Sequence, residues 1–180
     1  MAFVDGENLT MRAQKVACGN GLNLTEGRYF HRNTFVWIPN VPAGYRIYAG
    51  QVTIQATALR SSFYTSVCGD DKALNEVRNA LWQLGFNPQV FKKNRQDEKA
   101  KGVDIALTKD MLGHAFLENY DTAVLIAGDG DYVPLIEEVK RLGKRVHVLF
   151  LADEGLNPAL KLAADEFYGL TAAFLAGWGN

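Results

Sequence analysis

The chain has 180 residues, 48% of them hydrophobic and 22% charged, with a formal net charge of −1. This suits one soluble globular domain with a real core, and it excludes bulk attraction to a polyanion, so any nucleic acid must be held by a local basic patch. Two cysteines, Cys18 and Cys68, exclude a disulfide framework and a paired-cysteine zinc site, and the chain shows neither a leader-like start nor a membrane-length apolar run, so a reducing cytoplasm and no membrane are expected.

An apolar run opens the chain and ends at Asp5, within Phe3-Val-Asp-Gly-Glu-Asn8. The stretch from about Arg12 to Leu59 then breaks any strand–helix rhythm. It carries Tyr29, Phe30, Phe35, Trp37, Tyr45 and Tyr48 among Arg28, His31, Arg32 and Arg46. Pro39, Pro42 and Gly44 predict a turn between two β-like arms, Thr34 to Ile38 and Tyr45 to Ala56. Aromatics interleaved with arginines can stack on bases. The plainer expectation is an inserted aromatic-rich hairpin that packs on the core or forms a homodimer contact.

From Arg60 onward the rhythm is regular. Phe63 to Val67 is β-rich, and Leu74, Val77, Leu81 and Leu84 recur at helical spacing until Gly85. Pro88 to Phe91 reads as a strand, and a helix opens at Asp104 with Ile105, Met111, Leu112, Ala115 and Phe116. Ala123 to Ala127 is continuously apolar, as in a sheet buried on both faces. A helix follows Pro134, a strand runs from Arg145 to Phe150, and Asn157-Pro158 starts a last helix through Leu160, Ala163 and Phe167. Alternating strands and helices predict an α/β fold, a doubly wound, mainly parallel sheet with helices on both faces, as a single domain over 1–180 with the insertion at about 12–59.

Acids stand where the predicted strands end: Asp5, then Asp104 at a helix start, then Asp129 and Asp131 in Gly128-Asp-Gly-Asp131. A parallel sheet collects its strand ends on one edge, so these positions can converge. Singly, each has a plain explanation as a turn or helix cap. Jointly they point to a Mg²⁺ or Mn²⁺ site, because crowded carboxylates repel unless protonated or bridged by a hard cation. Asn8 is placed to orient a water or hold an Asp rotamer. Asp110 is placed to support the acids from behind or to pair with His114 one turn on. Asp5-Gly-Glu-Asn8 is too acidic for a dinucleotide turn, and Glu7 stands where an aspartyl phosphatase would want a second Asp.

Phe3-Val-Asp-Gly-Glu-Asn-Leu9, Phe63-Tyr-Thr-Ser66, Lys101-Gly-Val-Asp-Ile-Ala-Leu-Thr-Lys-Asp110 and Leu125-Ile-Ala-Gly-Asp-Gly-Asp-Tyr132 together resemble the NYN domain, in its LabA-like branch, within the PIN-like nuclease fold. The resemblance implies a Mg²⁺- or Mn²⁺-dependent ribonuclease with RNA as partner, and with Asp5, Asp104, Asp129 and Asp131 as the catalytic, metal-binding acids. It also matches Asn8 and Asp110. Metal-assisted hydrolysis would then need phosphate contacts. Thr65 and Ser66 at a strand end are candidates, as are Lys92, Lys93 and Lys101 in the basic stretch that also holds Arg95 and Lys99. The competing expectation is a noncatalytic RNA-binding or regulatory module on the same fold.

Overall fold

Four buried strands, laid side by side, form the centre of the molecule. The computed structural model describes residues 1–41, 43, 47–49, 52–54, 60–94 and 102–179. In chain order the elements are β1 (Ala2–Asp5), α1 (Gly6–Gly19), β2 (Phe30–His31), β3 (Phe35–Val36), β4 (Ile47–Ala49), β5 (Val52–Ile54), β6 (Ser61–Cys68), α2 (Asp71–Gln83) and β7 (Asn87–Lys93). Then come α3 (Val103–Phe116), β8 (Thr122–Ile126), a 3-10 turn (Gly130–Tyr132), α4 (Val133–Arg141), β9 (Arg145–Phe150), α5 (Pro158–Ala163), β10 (Glu166–Gly169) and α6 (Thr171–Trp178).

The main sheet has six strands in the order β10-β9-β8-β1-β6-β7, every pair parallel. The chain winds outward from β1 through β6 and β7, then restarts beside β1 at β8 and winds the other way. That reversal places a crevice at the carboxyl ends of β1 and β8, where open α/β sheets bind ligands. Alternate side chains of β1 serve opposite faces. Val4 packs in one layer with Leu9, Ala13 and Val16 of α1 and Leu74, Val77 and Leu81 of α2. Phe3 packs in the other with Val103, Leu107 and Met111 of α3 and Ile136 and Val139 of α4. Among the described residues no helix is long and apolar enough to cross a membrane.

Three expectations change here. The break in rhythm begins after Gly19, because Ala13, Val16 and Ala17 carry α1's buried stripe well past Arg12. Among the described residues the two arms do not pair with each other: β3 returns on β2, and β4 pairs with β5. The Pro42 and Gly44 turn and Tyr45 lie outside the described residues. The last predicted helix stops at Ala163, where Ala164 turns extended (ψ 155), so Phe167 belongs to β10. The hairpin's aromatics are core. Phe30, Phe35 and Trp37 are buried, with Trp37 edge-on to Phe86 at 4.8 Å and Phe30 edge-on to Trp178 at 6.3 Å. Rings used in this way have no face left for a base.

Candidate active site at the sheet's switch point

Asp5 ends β1 and is the N-cap of α1, its Oδ1 accepting from the Asn8 amide at 3.0 Å. Gly6 makes this possible. A Cβ there would lie 2.1 Å from the Phe63 ring, so only glycine lets α1 start directly against β6. Asp104 lies in the first turn of α3, after Gly102 at a positive φ of 128°. One hydroxyl joins the two acids: Tyr132 Oη is 3.0 Å from Asp5 Oδ2 and 3.1 Å from Asp104 Oδ1. Three elements distant in sequence, β1, α3 and the loop after β8, therefore meet at one point.

Asp5 is only 3% exposed. Burial, with the Asp104 and Glu7 charges adding to it, pushes its carboxyl up to about 7 despite the hydrogen bonds from Asn8 and Tyr132. Burial, with Asp5 and Asp104 beside it, also holds the Tyr132 hydroxyl protonated. A hydroxyl has one proton to give, so it can donate to one carboxylate at a time. Both contacts are satisfied together when Asp5 is protonated and donates to Tyr132, which donates to Asp104.

The acidic loop is tied to the same place. The Gly128 amide donates to Asn8 Oδ1 at 3.0 Å, and the Gly128 carbonyl accepts from the Asn157 amide at 2.8 Å. Asn8 thus pins a loop instead of facing outward. Asp129 caps the 3-10 turn by accepting from the Asp131 amide at 3.2 Å, and Asp131 is exposed. Asp129 and Asp131 sit at the same sheet edge as Asp5, on the neighbouring strand's loop. Among the described residues no three His, Cys, Asp or Glu side chains are grouped to hold a metal. The Tyr132 hydroxyl stands between Asp5 and Asp104, and Asp129 Oδ1 accepts from the Asp131 amide. The contacts described join two of the carboxylates, Asp5 and Asp104. That fits Mg²⁺, which keeps several waters and is held through one or two carboxylates plus substrate phosphates.

The candidate phosphate contacts divide. Thr65 and Ser66 are both 0% exposed, and neither hydroxyl is presented to a ligand: Thr65 donates to the Thr34 carbonyl and Ser66 to the Glu7 carboxylate. Lys93, expected as a surface rail, is 7% exposed in its side chain, with Nζ 3.7 Å from the same Glu7 oxygen. Lys92 is half-exposed and pairs with Asp71. Lys101, with Arg95 and Lys99, lies outside the described residues. Asp110 accepts from the Tyr64 hydroxyl at 3.0 Å, which fastens α3 to β6 behind the acids, while His114 pairs with Asn119 at 2.8 Å.

The family model for the NYN domain matches residues 1–171. The chain belongs to the NYN domain family. NYN domains lie within the PIN-like nuclease superfamily and are generally nucleases, which typically use divalent metals. An uncharacterized protein of Methanocaldococcus jannaschii, MJ0482, is 30% identical over 102 residues, covering 57% of this chain and 37% of that protein, so the NYN chain spans little more than a third of this relative's length. A crystal structure of a protein of unknown function, VPA0982, from Vibrio parahaemolyticus superposes with a TM-score of 0.61 at 21% identity, covering 96% of this chain and 93% of that one. This likeness shows the α/β fold. Reasoning from sequence missed two members of this NYN site, Tyr132 and Glu7. Both stand inside the quoted motifs, next to Asp131 and two residues after Asp5.

Proposed function

We propose that this NYN protein is a metal-dependent ribonuclease that hydrolyses RNA phosphodiester bonds, acting as an endonuclease. What supports this most is the meeting of Asp5 and Asp104 on one tyrosine hydroxyl at the switch-point crevice. Asp5 and Asp104 would hold a Mg²⁺ or Mn²⁺ ion, with Asp129 and Asp131 at the same edge to reach its waters or a second ion. A bound divalent ion supplies an activated water near neutral pH and neutralises charge on the scissile phosphate. The chain's own residues do the rest. Asp5, pushed up to about 7 by burial in the metal-free protein, gives up its proton to take the ion. Tyr132 holds the two carboxylates at a fixed separation, and Asn8 fixes the acidic loop beside them.

The experiment is cleavage of mixed RNA and DNA oligonucleotides with Mg²⁺, Mn²⁺ or EDTA. RNA should be cut only with metal, and Asp5→Asn and Asp104→Asn should each abolish cutting. The second reading, a noncatalytic RNA-binding module, is favoured by the lack of a three-ligand group among the described residues. Retained RNA binding with no metal-dependent cleavage would establish it.

A further inference from the structure

Phe30, Phe35 and Trp37 of the insertion are buried, and two of its polar side chains border a cavity: Arg32, and His31, whose ring centroid is 4.9 Å from that of Phe35 and whose Nδ1 is 3.7 Å from Glu26. His31 and Arg32 sit on a turn closed by Thr34 N donating to the His31 carbonyl at 3.0 Å, with Asn33 at a positive φ of 55°. For a surface turn it is tied down heavily. Asn33 exchanges hydrogen bonds of 3.1 and 3.2 Å with Gln14 of α1, the Arg32 amide donates to Glu26 at 2.9 Å, and Thr65 donates to the Thr34 carbonyl. The turn forms one wall of a cavity of about 200 Å³ whose other wall is α2. Val67 and Val77 give it an apolar lining, and Glu26, Glu76, His31 and Arg32 give it a polar one. Among the described residues the Arg32 guanidinium has no carboxylate partner.

We propose that this cavity is a subsite for one unpaired nucleobase of the RNA, selecting bases that carry an exocyclic amine over uracil. This rests on the ribonuclease reading and adds how a substrate would be chosen. The volume is below the ~300 Å³ at which pockets begin to enclose a drug-sized ligand, so it has room for one flat group and not a whole nucleotide. An apolar lining suits the face of a base, and an imidazole can stack on it. Carboxylates accept from exocyclic amines and repel the carbonyls that uracil presents. Arg32 at the rim takes a flanking phosphate. The tying of the turn keeps these groups in place before RNA arrives, which lowers the ordering cost of binding.

The test is fluorescence anisotropy in EDTA, using an oligouridine and the same oligomer with single cytidine or adenosine replacements, at several salt concentrations. Wild type should bind the replaced oligomers about tenfold more tightly, the low end of what a good base-edge contact gives. Glu76→Ala, an exposed helix position, should bring that ratio close to one. Arg32→Ala should flatten the salt dependence by about one unit of slope with the base preference kept. Equal binding of all oligomers by wild type overturns the subsite, as does a ratio unchanged in Glu76→Ala. Cleavage in Mn²⁺ is measured separately. Cutting without base preference removes the subsite alone, and base preference without cutting removes the ribonuclease reading alone.

Discussion

Tyr132 and Asp5 lie 127 residues apart in the chain and 3.0 Å apart in space, hydroxyl to buried carboxyl. The same hydroxyl reaches Asp104. The loop after β8 is thereby locked to β1 and α3, and the spacing of the two acids depends on a residue that need not touch substrate.

Tyr132→Phe should separate bracing from packing. The ring is 3% exposed and its packing would be kept, so only the hydrogen bonds are lost. Leaving the buried Asp5 carboxyl short of a partner should cost about 1–3 kcal/mol in urea unfolding. Cleavage should fall through kcat with little change in KM, and the Mn²⁺ concentration for half-maximal rate should rise. A variant with wild-type metal dependence would show that the hydroxyl does not set the site.

Asp5 gives the fold a distinctive response to pH. Its folded-state carboxyl titrates at about 7 against 3.8 for the ordinary group, so the folded chain holds the proton over that window and the unfolded chain does not. Stability therefore falls as pH rises from about 4 to 7, by at most roughly 1.4 kcal/mol per pH unit from this group, and levels off above. Asp5→Asn removes the titration. The difference in unfolding free energy between wild type and Asp5→Asn should change in that window and be flat outside it.

How much of this was legible beforehand follows from the physics of each element. β8 and β9 read clearly because a sheet buried on both faces leaves apolar runs, and β6 and β7 because short β-rich stretches stand between turn and helix signals. β10 did not. Leu160, Ala163 and Phe167 keep helical spacing, while Asp165 accepts the Val146 amide at 2.7 Å and draws the chain into the sheet edge, a long-range contact that periodicity does not carry. In the site, the convergence of Asp5 and Asp104 followed from topology alone. That Thr65 and Ser66 point inward did not, because β6 is covered on both faces, and a strand-end hydroxyl looks the same whether it meets solvent or a carboxylate. The expectation for the insertion is chiefly packing on the core or a second copy, and Phe30, Phe35 and Trp37 do pack on the core; what the sequence does not separate from them by burial is His31 and Arg32.

Divalent metal should relieve the charge crowding that raises Asp5. Binding requires the deprotonated carboxyl, so protons compete and the stabilisation grows with pH. At pH 8 and a hundredfold excess over Kd, Mg²⁺ or Mn²⁺ should add about 3 kcal/mol, and at pH 5 much less. Asp5→Asn should abolish the gain at both. Thermal unfolding with metal and with EDTA measures it, and an equal shift at the two pH values would place the ion away from Asp5.

Lys92 and Lys93 are neighbours in sequence but should behave as opposites. Lys93 is buried against Glu7, which also accepts from Ser66 and anchors α1's first turn to β6 and β7. Lys93→Met leaves the Glu7 charge without its cation in a largely enclosed place, and losing one partner of a buried pair costs on the order of 3–5 kcal/mol. The double variant Lys93→Met, Glu7→Gln should recover most of that loss, because no unpaired charge remains. Lys92 pairs with the fully exposed Asp71, so Lys92→Met should leave the unfolding midpoint unchanged. RNA binding should show the reverse order. Lys92 is half-exposed near the carboxyl end of β7, and its loss should reduce the salt slope by about one unit. The Lys93, Glu7 double variant should keep the wild-type slope, because that ammonium is already committed inside the protein. Salt-dependent binding and urea unfolding of the three variants give the comparison. A lowered slope in the double variant would mean that RNA draws Lys93 out of its pair, and that the rail runs through the interior of the crevice.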